Sequence, residues 1–155
     1  MPNKSFVRCL LIPLGDKQLL LPSAIVAEVS SYQAPTPIDK QPNWLLGVFE
    51  WRNQQVPLIA IEEILAININ SDNKKQRNII LYGLEASNLM PFYAFIATDI
   101  PRPLLIEEDS LIDSNIKPNN KNYIFDVTYD NQTLWLLNLT NIENMLRSFP
   151  IKIIT

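Results

Sequence analysis

Gly47-Val48-Phe49-Glu50-Trp51-Arg52-Asn53-Gln54-Gln55-Val56-Pro57-Leu58 is two apolar runs joined at one polar turn. The runs extend to Trp44 on one side and to Ile61 on the other. Apolar, β-prone segments meeting at a short polar turn read as a β-hairpin. Asn53 is a residue that tolerates positive φ, so the turn is tight. Arg52 is thereby lifted out of the sheet, a place that suits recognition of another molecule better than packing. Gly47 predicts a close backbone approach or a bulge. Pro57 predicts an edge position or a bulge for the return strand, because proline has no N–H for a ladder.

The segments on either side extend the β reading. Phe6 to Leu14 and Gln18 to Leu21 flank Gly15-Asp16-Lys17, a second hairpin. Ala24 to Val29 reads as a strand, with helix left open. Tyr32 to Pro42 holds Pro35, Pro37 and Pro42 and reads as an extended loop. Beyond the central hairpin, Glu62 to Leu65 makes one helical turn, and the polar stretch 68–76 is a linker. Arg77 to Gly83 is a strand. Pro91 to Thr98 is another, apolar on both faces and so buried on both sides. Pro101 and Pro103 predict a break or kink before Leu104-Leu105-Ile106.

Ser114 to Asn122 is loop-like. Tyr123 to Tyr129 alternates, Asp130-Asn131 turns, and Thr133 to Leu137 returns. Thr140 with Glu143 forms a capping-box pattern. Ile142, Met145 and Leu146 then fall on one face of a short C-terminal helix that Pro150 stops. About nine or ten short strands with frequent turns predict a mainly β, closed or nearly closed architecture. Both halves end alike, in a hairpin followed by a helical turn. A single domain over 1–155 with two barrel subdomains, divided near 68–76, follows.

Composition narrows the function. The 155 residues carry a net charge of −3 and no basic block; Asp72-Asn73-Lys74-Lys75-Gln76-Arg77 is too short and too mixed. Nucleic-acid binding therefore lacks its electrostatic footprint, and a protein partner is the better expectation. Cys9 is the single cysteine, which rules out an intrachain disulfide and fits a cytoplasmic, reducing setting. It reads as a small buried hydrophobe. The residues before it imitate a lipoprotein signal, but the apolar run is too short and Arg8 interrupts it. No apolar stretch is long enough for a membrane span, so no membrane insertion is expected. The Asn-x-Ser/Thr triplets at Asn3, Asn131 and Asn138 read as chance matches.

Histidine is absent, and glycine occurs only at Gly15, Gly47 and Gly83. The commonest general base, the usual metal ligand and any phosphate-cradling loop are thus missing. Asp99, Glu107, Glu108 and Asp109 read as a solvated face, not a metal or acid–base cluster. The expectation is no enzyme, no cofactor and no metal. A small-ligand barrel or an interaction module outside signalling is the alternative; a ligand site would need convergent polar groups around a cavity. Trp44, Trp51 and Trp135 read first as core, with Trp51 the best interface candidate through its neighbour Arg52.

The run from Pro42 to Leu58, with Gly47-Val48 and Trp51-Arg52-Asn53 inside it, resembles the CheW-like family, the coupling proteins of bacterial chemosensory arrays. The opening Leu19 to Val29 and the closing Asp130 to Leu139 resemble the family's flanking patterns. Asn53 stands where the family pattern has glycine, and Trp51 where it has leucine. The tryptophan-containing pattern is most similar to the ChpC-type branch, associated with type IV pili and twitching motility. The resemblance implies two intertwined SH3-like five-stranded barrels with a short C-terminal helix. It implies a non-enzymatic cytoplasmic adaptor at membrane-bound receptor arrays. The implied partners are a histidine kinase regulatory domain and a chemoreceptor cytoplasmic tip. The implied contact residues are Arg52, Trp51, Asn53, Glu28 and Glu50.

Overall fold

The computed structural model describes residues 5–69, 75–84, 91–107, 112–113 and 123–148. In chain order the elements are β1 (Phe6–Leu14), β2 (Lys17–Pro22), a 3₁₀ turn (Ser23–Ile25), β3 (Val26–Ser31), β4 (Leu45–Trp51), β5 (Gln54–Ile59) and α1 (Ile61–Leu65). Then come β6 (Arg77–Tyr82), β7 (Phe92–Ala97), β8 (Arg102–Glu107), β9 (Ile112–Asp113), β10 (Ile124–Tyr129), β11 (Gln132–Leu137) and α2 (Leu139–Arg147). Two sheets form, in the orders β8-β1-β2-β11-β10-β9 and β3-β6-β7-β5-β4. Each is five-stranded, with the two-residue β9 added at one edge of the first. Among the described residues no pairing joins the end strands, so neither ladder closes into a barrel.

The sheets interleave the chain. Strands from both sides of 68–76 enter both sheets: β1 and β2 join β8 to β11, and β3 to β5 join β6 and β7. The sheets also repeat one another. The tips Arg52-Asn53 and Asp130-Asn131 have φ values of 49°, 61°, 50° and 60°, so both are two-residue turns of the kind that matches strand twist. β5 runs parallel to β7 through Leu58↔Ala94, and β11 runs parallel to β2 through Leu136↔Leu20. Aligning the two tips therefore places Ala94 on Leu20. Following the ladders outward places Ile80 on Leu11 and Glu28 on Arg102.

Period-two alternation sorts the apolar residues into three cores. One face of the first sheet packs Cys9, Leu11, Leu20, Ile106, Val127 and Leu134. The second sheet packs Phe49, Trp51, Val56, Leu58, Ile80 and Ala94. The opposite faces of both sheets, with α1 and α2, form a larger shared core around Ile12, Leu19, Ile59, Tyr93, Phe95 and Ile142. β7 is accordingly buried on both faces, as its continuous apolar run predicts: Ala94 turns to one core, Tyr93 and Phe95 to the other.

The prolines depart from expectation. β5 is not an edge strand but lies between β7 and β4. Pro57 is tolerated there because the described pairing with β7 begins only at Leu58. A register shift does occur beside it, on β4 between Leu45 and Gly47. Pro103 does not break β8, which runs through it as the outermost strand of its sheet, where a missing N–H is harmless. The capping box also fails. α2 is capped by Asn138, whose Oδ1 accepts the Asn141 N–H at 3.2 Å, and Glu143 turns inward. Pro150 and the loop 114–122 lie outside the described residues.

Candidate functional site

Arg52 occupies the first left-handed position of the β4–β5 turn. A side chain there costs about 1–2 kcal/mol relative to glycine, so the arginine is held against a backbone preference. What holds it is Glu28 on β3. Oε2 of Glu28 accepts the Trp51 indole N–H at 2.9 Å, and Oε1 pairs with Arg52 Nη2 at 3.0 Å. One carboxylate thus grips two consecutive residues of the hairpin. The Arg52 guanidinium also lies over the Trp51 ring, 4.7 Å from its centroid. The Trp51 ring meets Phe92 of β7 edge-on at 4.8 Å. Trp51 is 8% exposed, whereas the Arg52 side chain remains 66% exposed. The result is a cation fixed in place on a buried aromatic base, with guanidinium donors still facing solvent.

The hairpin is braced from behind. Gly47 has φ 139°, and a Cβ there would stand 2.3 Å from the Thr36 carbonyl oxygen. Only glycine lets the proline-rich loop lie this close. Thr36 exchanges both backbone hydrogen bonds with Val48, at 2.7 and 2.9 Å, and so covers the outer edge of β4. Gln41 closes the same loop by accepting the Ile38 N–H at 2.7 Å.

The structure brings Glu28, Trp51 and Arg52 together, and Asn53 completes the turn beside them as an exposed residue. Glu50 is exposed on the opposite face of β4 from Phe49 and Trp51, outside the clamp. Trp51 lies under the arginine instead of at the surface. Trp44 and Trp135 are half-buried against the shared core, with Lys17 Nζ 5.3 Å from the Trp135 ring centroid. Sequence reasoning finds neither Phe92 nor the bridging role of Glu28. Glu28 lies 24 residues before Arg52, and no local signal records that their strands, the two opposite edges of one sheet, meet through these side chains.

The second hairpin shows that a turn of this kind can form without such a clamp. Tyr129 stands where Trp51 does, Asp130 where Arg52 does, and Arg102 where Glu28 does, with the charges reversed. Among the described residues no hydrogen bond or ion pair joins Arg102 to Asp130. An equivalent turn therefore forms without a bridge, and the Glu28–Trp51–Arg52 arrangement is an addition to the scaffold.

Other chemistry is sparse. No group of three or more His, Cys, Asp or Glu that could hold a metal occurs among the described residues. Cys9 is buried, and burial pushes its thiol pKa up, away from the reactive thiolate. No helix among the described residues is long and apolar enough to cross a membrane.

A model of the CheW-like domain family matches residues 8–147. The structure is similar to the crystal structure of the scaffolding protein TtCheW from Thermoanaerobacter tengcongensis, with a TM-score of 0.75 and 18% identity. That similarity covers 90% of this chain and 87% of the other. No curated protein matches the chain by sequence.

Proposed function

Because the chain belongs to the CheW-like domain family, we propose that it is a non-enzymatic adaptor that couples a chemoreceptor to a chemosensory histidine kinase. The observation that carries the proposal is the clamped, solvent-facing Arg52 on a tip whose counterpart forms without a clamp. Arginine on an aromatic base, already ordered, loses little freedom on binding and suits a carboxylate on a partner. In this reading Arg52 makes the contact, Glu28 and Trp51 position it, and Asn53 permits the turn. Glu50, on the outer face of β4, extends the contact surface. The partners are the kinase regulatory domain and the receptor cytoplasmic tip, and the setting is cytoplasmic, at receptor arrays. The tryptophan pattern around Trp44 and Trp51 favours a pathway controlling type IV pili over a flagellar one.

Calorimetric titration of the chain with the regulatory domain of each chemosensory kinase from the same genome tests this. Saturable binding that Arg52→Ala weakens supports the proposal. Absence of binding to every kinase domain and every receptor tip at high concentration would overturn it.

A further inference from the structure

Two polar side chains are fully buried among the described residues, Asn78 and Glu143. Glu143 is the more demanding, because a carboxylate in an apolar core needs several donors. It projects from α2 and accepts the Tyr93 hydroxyl at 3.1 Å. It also accepts the Leu84 N–H, at 3.0 Å to Oε1 and 3.1 Å to Oε2. Tyr93 lies on β7, and Leu84 lies two residues past the end of β6. A single carboxylate therefore ties the C-terminal helix to one end of the β6–β7 pair.

The internal repeat shows what the fold uses when no tie is needed. Aligning the two tips places Glu143 on Leu65 of α1 and Tyr93 on Leu19 of β2, both fully buried. The equivalent position in the other half is thus closed by two leucines. Replacing a buried charged or polar set by apolar residues of similar volume is often neutral or stabilising. Two apolar residues fill the equivalent site, so a buried carboxylate is not needed for packing there, and its use in this half points to a further role.

We propose that Glu143 is a latch that holds the Leu84 end of the β6–β7 pair against α2, and that this is where helix and sheet part without the rest unfolding. The latched end presents Tyr82 and Leu84, which are 45% and 50% exposed. The Tyr82 ring lies 5.6 Å from Phe92, whose ring packs on Trp51 beneath Arg52. The latch accordingly orders the flank of the Arg52 surface. Only this last step rests on the proposed adaptor function.

The test is amide hydrogen exchange on the free protein, for parent, E143Q and the double variant E143L/Y93F. The double variant removes the carboxylate and the hydroxyl together and releases the Leu84 N–H to solvent, so the readout is the neighbouring Gly83 amide, which bonds the Pro91 carbonyl at 2.9 Å at the same end of the pair. The expected result is a melting temperature close to the parent's, with the Gly83 amide exchanging at least about tenfold faster and amides of β5 and β11 unchanged. E143Q retains an acceptor and should retain most of the Gly83 protection. Unchanged Gly83 exchange in the double variant would overturn the latch. So would a large loss of stability with faster exchange across both sheets, because the pair would then be a purely structural filling. The measurement needs no partner, so a chain that binds no kinase still reports on the latch.

Discussion

Arg52→Gly separates recognition from stability more cleanly than any other single change. Three terms set its effect on folding. The ion pair with Glu28 is made at 3.0 Å by a side chain that is 66% exposed, so it contributes about 0.2–1 kcal/mol. Stacking on the Trp51 ring at 4.7 Å adds about 0.5–1 kcal/mol at an exposed position. Against these, glycine relieves the positive φ of 49°, a gain of about 1–2 kcal/mol. The sum lies within about 1 kcal/mol of zero, which for a chain of this length moves the melting temperature by no more than about 2–4 °C. Binding should respond far more. An ordered arginine at the centre of a contact is worth about 2 kcal/mol or more, a loss of roughly thirtyfold in affinity. The assay pairs thermal unfolding with calorimetric titration against the kinase domain or receptor tip. A fall in melting temperature well beyond that range would make Arg52 a structural residue. Unchanged affinity for every partner that the parent binds would move the contact surface off this hairpin.

Gly47→Ala should be strongly destabilising, by about 3 kcal/mol, from backbone strain plus loss of the Thr36–Val48 bonds; a denaturant melt showing less than about 1 kcal/mol would contradict the close approach. Glu28→Gln keeps an acceptor for the Trp51 indole but removes the charge facing Arg52, so it should cost less stability than Glu28→Ala in paired thermal melts; equal losses would mean that the carboxylate does not hold the tryptophan. The Tyr93 phenol pKa is raised by burial and by the neighbouring Glu143 carboxylate. The folded state therefore keeps a proton that the unfolded state releases, and stability is full below the ordinary tyrosine value of 10 and falls as pH rises above it. In an alkaline absorbance titration, Tyr93 should ionise only with unfolding, detected as a hydroxyl that titrates in parent but not in Y93F; reversible ionisation of that hydroxyl in the folded state would contradict its burial. Cys9 should react with thiol reagents slowly in the native protein and readily in urea; rapid native labelling would mean that β1 is not packed as described.

Much of the local structure is legible in the sequence because its signals are local. The polar pairs Arg52-Asn53 and Asp130-Asn131 mark both hairpins, and both adopt positive φ throughout. The unbroken apolar run of β7 announces burial on both faces. Ile142 and Leu146 mark the buried stripe of α2. What the sequence hides is set by pairing between distant segments. Pro57 is compatible with an interior strand only because of where the parallel neighbour begins, and Pro103 with a strand only because β8 is outermost. The Thr140–Glu143 spacing imitates a cap, yet the helix begins earlier, at a cap that Asn138 supplies, and burial claims the glutamate. The interleaving of the two halves and the meeting of Glu28 with Trp51 likewise depend on strand order, which no spacing records. Family resemblance singles out Glu28 but says nothing of its bond to the tryptophan.

An adaptor must hold two partners at once, so the most direct measurement is co-sedimentation of the kinase with membranes carrying the receptor, with and without this chain. Kinase should pellet only when the chain is present, and Arg52→Gly should abolish the recruitment while the variant remains folded. Kinase that pellets equally without the chain, or a chain that binds one partner only by displacing the other, would contradict the adaptor function.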